Sequence, residues 1–412
     1  MSWQSRYCGA RELLTQNEDV LYAEVIERLD FSRELEDREV EALLDELLCQ
    51  RGRQLGLTAG QRERLRVKLF NRLRRLDVLQ ELLEDSTITE IMVNGPGTIF
   101  IEREGILYPC DKAFPSRERL EDVIQQIVSR VNRIVNESSP IVDARMEDGS
   151  RVNVVLRPVA IDGPALTIRK FARRVWTLNQ LAQMGMLTDE AAQFLERMVK
   201  CGANLFVSGG TGTGKTTFLN ALACAIPEQE RIVLIEDSAE LKIGLPNLVR
   251  LEVRNANSEG THQITIRDLI RTSLRMRPDR IIVGEVRDGA CMDMLSAMNT
   301  GHSGSLSTGH GNSPGDMLSR LETMALMGAT LPLAAIRAQI SSALDYIIHL
   351  SRDRQGERRV VSIVEVREYD RGKDEIRIVP IFAFSDETGR LEKVGNPAFA
   401  GDRRGEAAGQ SA

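Results

Sequence analysis

Aromatic residues and excess positive charge are both scarce in this chain of 412 residues. Aromatic side chains make up only 4% of it, too few for the stacking surfaces that hold single-stranded nucleic acid. Acidic residues outnumber basic ones by 60 to 54, so the net charge of −6 provides no overall basic field for DNA or anionic lipid. Both deficits disfavour a nucleic-acid-binding function.

Paired cysteines and long apolar runs are also missing. The six cysteines are scattered without any Cys-x-x-Cys spacing, which predicts reduced thiols rather than a disulfide scaffold. No stretch approaches the roughly 18 consecutive apolar residues of a membrane-spanning helix. The first residues lack the apolar segment and cleavage site of a secretory signal. We therefore expect a cytoplasmic protein.

Histidine is rare as well, yet two of the four histidines lie in one short segment, "MNTGHSGSLSTGHGNS". His302 and His310 suggest zinc, but the segment has neither paired cysteines nor the His-x-x-x-His spacing with an intervening Glu. Two solvated loop histidines are the simpler alternative. The surrounding glycine and hydroxyl residues instead favour a backbone that closely approaches an oxygen-rich ligand.

The N-terminal part of the chain is helical in period. Apolar residues recur at helical spacing from Val20 to about Leu83, with polar residues between them. Gly52 and Gly56 are expected to break the second helix from the third, and "TAGQ" at 58–61 has the form of a capping box that begins the third. This region predicts a small helical bundle.

Changes of pattern divide the rest of the chain. Short β-branched runs around one helix predict a compact α+β domain, and from Leu187 onward helices and apolar strands alternate as in an α/β sheet. The α+β region carries four strand-associated arginines, most simply surface residues: Arg145, Arg151, Arg157 and Arg169. The predicted segments are a helical region over 1–78, an α+β domain over 79–171, a linker over 172–186, an α/β domain over 187–384 and a loosely ordered tail over 385–412.

The segment "LFVSGGTGTGKTTF" carries the phosphate-binding pattern G-x-x-x-x-G-K-T between an apolar strand and an apolar helix. Glycines let backbone N–H groups wrap around phosphate oxygens, and the helix directs its positive end at them. Lys215 is predicted to reach the β- and γ-phosphates, and the Thr216 hydroxyl to bind Mg²⁺. The chain has no Asn-Lys pair, which a GTPase base reader would require. The nucleotide-binding residues are predicted to be Gly209, Gly210, Thr211, Gly212, Thr213, Gly214, Lys215, Thr216 and Thr217.

Carboxylates for the reaction must come from neighbouring strands, because ligands of open α/β sheets gather at the carboxyl ends of strands. "RIVLIEDSAEL" delivers Glu236 and Asp237 at the end of one strand and Glu240 one turn later. "DRIIVGEVRDG" ends a second strand at Glu285. We expect Glu285 to hold the magnesium shell or orient water, and Glu236 or Glu240 to accept the proton. Asp237, like Asp288, is equally well explained as a helix cap.

Two arginines and one histidine complete the predicted site. Arg271 and Arg275 are four residues apart, so one helical face presents them either as surface charge or as an arginine finger. His310 precedes a helix start with Ser313 as N-cap and Pro314 in the first turn. Its imidazole is placed to donate to a γ-phosphate oxygen and to report the nucleotide state to that helix.

Four ordered motifs give the chain a family resemblance. "GGTGTGKTT", "IEDSAEL", "LRMRPDRIIVGEVRDG" and "AMNTGHSGSLSTGHGNSP" resemble the Walker A, Asp box, Walker B and His box of the type II/type IV secretion ATPase superfamily. "ESSPIVDARMEDGSRVNVVLRPVAIDGPALTIRKF" is similar to the N-terminal domain of its CpaF/TadA branch, the ATPases of Tad/Flp pili. The chain lacks the tetracysteine module of the GspE and PilB branches.

The resemblance implies an α/β fold in which a helical leader and a PAS-like α+β domain precede a RecA-like P-loop NTPase domain. It implies a cytoplasmic homo-hexamer that binds ATP and Mg²⁺ between the two domains and drives pilin polymerisation through an inner-membrane platform protein. By motif, Thr216 and Glu285 take the metal roles, Glu236 and Glu240 the Asp-box roles, and His302 and His310 the His-box roles. Arg145 and Arg169 are implied to reach the nucleotide.

Three alternatives remain open from the sequence. The same engine serves type II secretion and conjugation as well as pilus assembly. A RecA-like core also drives nucleic-acid motors, and a P-loop protein can act as a nucleotide switch without appreciable turnover.

Overall fold

The structure, a computed structural model, describes residues 18–30, 33, 35–103, 105–131, 133–170, 175–254, 263–353 and 356–398. The chain divides into two compact units, residues 1–171 and residues 172–412.

The first unit begins with a helical layer that has its own apolar core. Its helices are α1 (18–28), α2 (Asp37–Gln54) and α3 (Ala59–Arg74). The capping box predicted at Thr58 is present, since its hydroxyl accepts from the Gln61 N–H while the Gln61 side chain bonds the Thr58 backbone. The prediction that Gly52 breaks a helix is wrong. Gly52 lies inside α2, where a Cβ would come within 2.6 Å of Arg62 Cδ, so helix packing selects this glycine.

A six-stranded antiparallel sheet forms the rest of the first unit. Its elements are α4 (Val78–Glu84), β1 (Ile88–Asn94), β2 (Ile99–Arg103), β3 (Ile106–Pro109), α5 (Arg117–Arg130), β4 (Ile141–Arg145), β5 (Arg151–Val155) and β6 (Ala165–Arg169), with strand order β3-β2-β1-β6-β5-β4. Alternate residues such as Val152 and Val154 are buried, so one face of the sheet packs with the apolar side of α5. These elements match the predicted α+β pattern of short strands around one helix.

The second unit is a nine-stranded sheet between helices. Its elements are α6 (Leu178–Gln183), α7 (Asp189–Lys200), β7 (Leu205–Gly209), α8 (Lys215–Ala223), β8 (Ile232–Glu236), β9 (Leu248–Glu252), α9 (Ile266–Ser273), β10 (Arg280–Val283), α10 (Ala290–Asn299), β11 (Leu306–His310), α11 (Pro314–Gly328), α12 (Leu333–Ala343), β12 (Tyr346–Arg352), β13 (Arg358–Asp370), β14 (Glu375–Ser385) and β15 (Arg390–Lys393). The strand order is β15-β14-β13-β12-β7-β11-β10-β8-β9. β12, β7, β11, β10, β8 and β9 pair in parallel, and β13 to β15 extend the sheet in antiparallel fashion.

Apolar layers cover both faces of the parallel sheet. α6, α7 and α8 pack on one face, and α9 to α12 on the other. Because both faces are covered, β7, β8 and β10 are buried along their whole length, which explains their continuous apolar sequence. No single described helix is long and apolar enough to cross a membrane, although α11 and α12, bent by 119° at their junction, meet those criteria as a pair.

Two predicted boundaries differ from the structure. The described part of the predicted linker, 175–186, includes α6, whose Leu178 and Leu181 belong to the core of the second unit. The predicted tail begins within β14 and includes β15, where Leu391 is buried. Both segments pack against a core that other elements supply, so each needs only a few apolar residues of its own. Their polar sequences therefore resemble those of a linker and a tail. Residues 399–412 lie outside the described part.

Candidate functional site

The glycine loop lies at the carboxyl edge of the parallel sheet, between β7 and α8. Gly212 and Gly214 have φ of +73° and +91°, conformations that side chains other than glycine rarely adopt. At Gly209 a Cβ would lie only 2.6 Å from the Leu350 carbonyl oxygen. The loop therefore requires glycine at these positions, and its backbone N–H groups precede the N-terminus of α8, as a phosphate cradle requires.

Lys215, the first residue of α8, folds back over this loop. Its ammonium group donates to the carbonyl oxygens of Gly209 at 3.1 Å and Gly210 at 2.8 Å. Burial lowers the pKa of Lys215, and the Glu285 carboxylate acts in the opposite direction. The charge is thus held close to the loop, where it can exchange these carbonyl partners for phosphate oxygens.

His310 connects the P-loop lysine to Glu285. It ends β11 opposite Gly209, with Nδ1 3.2 Å from the Lys215 Nζ and Nε2 2.9 Å from the Glu285 Oε1. An ammonium group can only donate, so Nδ1 accepts and the ring hydrogen lies on Nε2, on the side of the Glu285 carboxylate but not aligned with Oε1. Burial, followed by the Lys215 charge, lowers the pKa of His310, which favours this neutral tautomer at pH 7.

Glu285 lies between His310 and a second cation, Arg287. The guanidinium donates to Oε2 at 2.7 Å and approaches Asp237 Oδ2 at 3.8 Å. Oε1 is buried and, despite its short distance to the imidazole, has no hydrogen bond of good geometry among the described residues. A buried carboxylate oxygen without a well-aligned donor is a suitable acceptor for a ligand.

This donor set fits Mg²⁺. Across the described residues, no group of three or more His, Cys, Asp or Glu side chains forms a metal-binding cluster. Mg²⁺ bound with a nucleotide usually takes one or two protein oxygens and completes its shell with phosphates and water. The Glu285 carboxylate and the Thr216 hydroxyl at the start of α8 can supply those oxygens.

The two Asp-box glutamates have different surroundings. Glu236 is 3% exposed at the end of β8, and its Oε1 accepts from the backbone N–H groups of Glu240 and Leu241 at 2.7 and 2.8 Å. Burial raises the pKa of Glu236, while these two hydrogen bonds act against that rise. Glu236 therefore holds the turn that presents the half-exposed Glu240.

The structure does not bring His302 to this site within one chain. Its loop precedes β11, and the neighbouring Gly304 N–H bonds the side chain of Asn204, which precedes β7. His302 thus lies at the amino edge of the sheet, separated from the P-loop by the length of β11, about 13 to 17 Å. Its Nδ1 lies 3.2 Å from the Ala297 carbonyl oxygen.

The predicted arginine pair is also separated. α9 ends at Ser273, so Arg275 lies beyond the helix and the two side chains do not share a helical face. The helix ends there because Pro278 follows closely and Arg277 has a φ of +52°. Arg271 pairs with Asp293 of α10 at 2.9 Å, and among the described residues no contact joins it to the P-loop.

The remaining predicted arginines lie in the first unit. Arg145 ends β4 and Arg169 ends β6, and both are directly opposite Arg151 of β5, the strand that lies between them. Cross-strand partners share one face of a sheet, so the three arginines form a row on one face.

Sequence reasoning missed three side chains near the P-loop. Arg287 was overlooked although it stands two residues after Glu285. His349 lies in β12 with Nδ1 3.3 Å from the Ser208 hydroxyl, and its sequence signal is a polar residue inside the buried run "YIIHL". Arg358 of β13 contacts Gly212. The sequence around Arg358 gives no indication of this contact, because Arg358 lies 146 residues along the chain from Gly212 and the pairing of β13 in the sheet brings it there.

A glycine loop and a lysine at the carboxyl edge of covered parallel strands make the second unit a P-loop nucleotide-binding domain. A family model described as type II/IV secretion system protein matches residues 73–377. The chain belongs to this family.

Individual relatives are similar over most of their length. A putative conjugal transfer protein of Mycobacterium tuberculosis is 36% identical over 297 residues, 71% of this chain and 84% of that protein. The type IV secretion system protein PtlH of Bordetella pertussis is 33% identical over 316 residues, 70% of this chain and 93% of that protein. The Legionella pneumophila ATPase DotB shares the fold, with 21% identity and a TM-score of 0.51 over 70% of this chain and 78% of its own.

Proposed function

We propose that this protein is an ATP-hydrolysing hexameric motor that powers assembly, and possible retraction, of a Tad/Flp-type pilus through an inner-membrane platform protein. The Lys215–His310–Glu285 arrangement at the P-loop carries the proposal, because it joins a phosphate-binding cation to a carboxylate through one imidazole. The pilus assignment comes from the resemblance of the sequence motifs to the CpaF/TadA branch. The protein acts in the cytoplasm, at the inner face of the membrane that holds the platform.

Each residue of the proposed ATP site has its own role. Thr216 and Glu285 would hold Mg²⁺, which would neutralise charge that develops on the phosphates. Lys215 binds the β- and γ-phosphates, and His310 donates its Nε2 hydrogen to a γ-phosphate oxygen, a bond lost on hydrolysis. Glu240, presented by the turn that Glu236 holds, accepts the proton of the attacking water.

His310 also provides the link from chemistry to motion. It is followed after two residues by Ser313, whose side chain caps α11 by accepting from the Asp316 N–H at 3.0 Å. A shift of His310 on phosphate release therefore acts on the first turn of α11. Arg271, Arg275 and His302 have catalytic roles only toward a neighbouring copy in the ring, since they do not meet the P-loop of their own chain.

A secretion or conjugation machine is the second candidate. The similarity to PtlH and to a putative conjugal transfer protein favours it, because both are named for such systems. The two candidates share the motor and differ in the partner. Purification from the membranes of the native host separates them: pilin and a platform protein support the pilus, and a conjugation or secretion complex supports the alternative.

Phosphate release from ATP tests the motor itself. We expect Lys215→Ala to lose turnover because nucleotide binding fails, and Glu285→Gln to lose turnover while still binding ATP. Lys200→Ala is the matched control, since that lysine pairs with Glu196 on the surface of α7. Wild-type turnover in Glu285→Gln would contradict the proposal and favour a nucleotide switch. Stimulation of wild-type turnover by DNA, lost at high salt, would favour a nucleic-acid motor.

A further inference from the structure

Arg358, the first residue of β13, lies against the P-loop. Its Nε donates to the Gly212 carbonyl oxygen at 3.0 Å. Its Cδ is also 3.5 Å from the position that a Cβ on Gly214 would occupy, beside the Met186 Cε at 3.7 Å. A cationic side chain and a thioether therefore flank the glycine loop where α8 begins.

The strand order places Arg358 on the other side of the P-loop from the carboxylate. β7 carries the loop, β11 and β10 deliver His310 and Glu285 on one side, and β12 and β13 lie on the opposite side. In the proposed function His310 and Glu285 face the γ-phosphate. The α-phosphate end of the nucleotide then extends from the loop toward β12 and β13.

The surroundings of Arg358 differ from those of its neighbour Arg359. Arg359 lies 3.5 Å from Asp353 and its guanidinium stands over the Phe384 ring, at 5.7 Å from the centroid. Arg358 is exposed, and among the described residues no carboxylate lies within ion-pair distance of it. Anchoring Nε on a carbonyl fixes the guanidinium plane beside the loop, and its terminal N–H groups form the fork that suits phosphate oxygens.

We propose that Arg358 is a second cationic contact for the bound nucleotide, pairing with its α- and β-phosphates on the side of the P-loop opposite Glu285. This inference rests on the proposed ATP site. It assigns a nucleotide-binding role to a residue outside the four sequence motifs, supplied by the antiparallel extension of the sheet.

Calorimetric binding of ADP and of ATP to the full chain tests the assignment. We expect Arg358→Ala to raise both dissociation constants about ten- to hundredfold, because one charge-assisted contact is lost. The ratio of the two constants stays within about twofold, since ADP and ATP share both phosphates. Arg358→Lys keeps the charge but not the forked guanidinium, so its dissociation constants should lie between those of the wild type and Arg358→Ala. Arg359→Ala is the control and should bind both nucleotides as the wild type does.

Three other outcomes would overturn the assignment of Arg358. Unchanged ADP binding by Arg358→Ala, with binding lost in Lys215→Ala, overturns the Arg358 contact and leaves the ATP site intact. A lower melting temperature of Arg358→Ala without nucleotide, with unchanged ADP affinity, makes Arg358 a support of the loop only and also overturns it. If the wild type binds neither nucleotide, the proposed function and this inference fail together.

Discussion

The imidazole of His349 lies inside the parallel sheet, 7% exposed and next to the Ser208 hydroxyl. Burial lowers the pKa of His349, and the Lys215 charge acts in the same direction, while the Asn312 backbone and Asp316 oppose it. The neutral form is therefore the one that the folded protein favours. An unfolded chain binds this proton near pH 6.5, before the folded chain does.

This difference predicts a pH dependence of stability. The contribution of His349 is fully present above about pH 6.5 and is lost as the pH falls through the lower folded pKa, at about 1.4 kcal/mol for each unit by which the two pKa values differ. His349→Gln keeps a polar side chain beside Ser208 but does not titrate. We expect chemical unfolding between pH 7 and pH 5 to show a shallower loss of stability in this variant than in the wild type.

Equal slopes in His349→Gln and the wild type would mean that another group titrates.

The two His-box histidines show how far residue-level prediction extends. Both stand in glycine-rich sequence, but His310 ends β11 whereas His302 lies in the loop before that strand. Only the register, with His310 opposite Gly209, decides which end meets the P-loop. Local sequence identifies the strand, whereas the pairing of strands about 100 residues apart places its ends.

At the scale of elements, α10 and α11 are joined by a contact between two backbones. A Cβ on Gly328, at the end of α11, would lie 2.3 Å from the Gly289 carbonyl oxygen and 2.9 Å from its Cα. The Gly328 carbonyl also accepts from Arg267 of α9 at 2.9 Å. Neither backbone can move without shifting a helix, so this glycine fixes how closely the helices on that face approach.

Gly328→Ala is therefore expected to destabilise the protein by about 1–3 kcal/mol through overpacking. Gly315→Ala, in the first turn of the same helix, is the matched control. There the nearest atom to a new Cβ is the Ser313 Oγ at 4.0 Å, so helix propensity makes the change neutral or slightly stabilising. Denaturant unfolding of both variants measures the difference, and equal stability of the two would refute the close-packing argument.

The elements that sequence predicts well are those with complete local signals. The capping box at Thr58 and the N-cap at Ser313 satisfy their own backbone groups, and the P-loop is specified by glycines with positive φ, so a few residues determine each of them. The helix break expected at Gly52 and the loosely ordered tail expected from residue 385 were wrong, because both depend on contacts with distant parts of the chain. Arg62 of α3 packs at Gly52, and β14 provides the hydrogen bonds of β15.

At the scale of the whole molecule, the first unit carries a row of three arginines on one face of its sheet. Arg145 and Arg169 are each directly opposite Arg151, and like charges in such positions destabilise a sheet. Glu90 of β1 is directly opposite Arg169 on its other side, so the same face carries three cations and a neighbouring carboxylate. A face that carries three arginines suits an anion, and the family resemblance implies a nucleotide contact for Arg145 and Arg169.

We therefore expect Arg145→Ala and Arg169→Ala each to lower ATP turnover about tenfold or more, by loss of charge stabilisation of the phosphates. The melting temperature should change little, since both side chains end their strands, neither is buried, and no core volume is lost. Phosphate-release kinetics and thermal unfolding of the same preparations measure the two effects.

Arg117→Ala is the control, because Arg117 pairs with Glu121 on α5 of the same unit and should change neither quantity appreciably. A fall in turnover that accompanies a fall in melting temperature would assign the row to folding of the first unit. Wild-type turnover in both arginine variants would confine the ATP site to the P-loop unit. Loss of turnover with full stability would support the nucleotide role that the family resemblance implies for Arg145 and Arg169, because a purely structural role would lower the melting temperature as well.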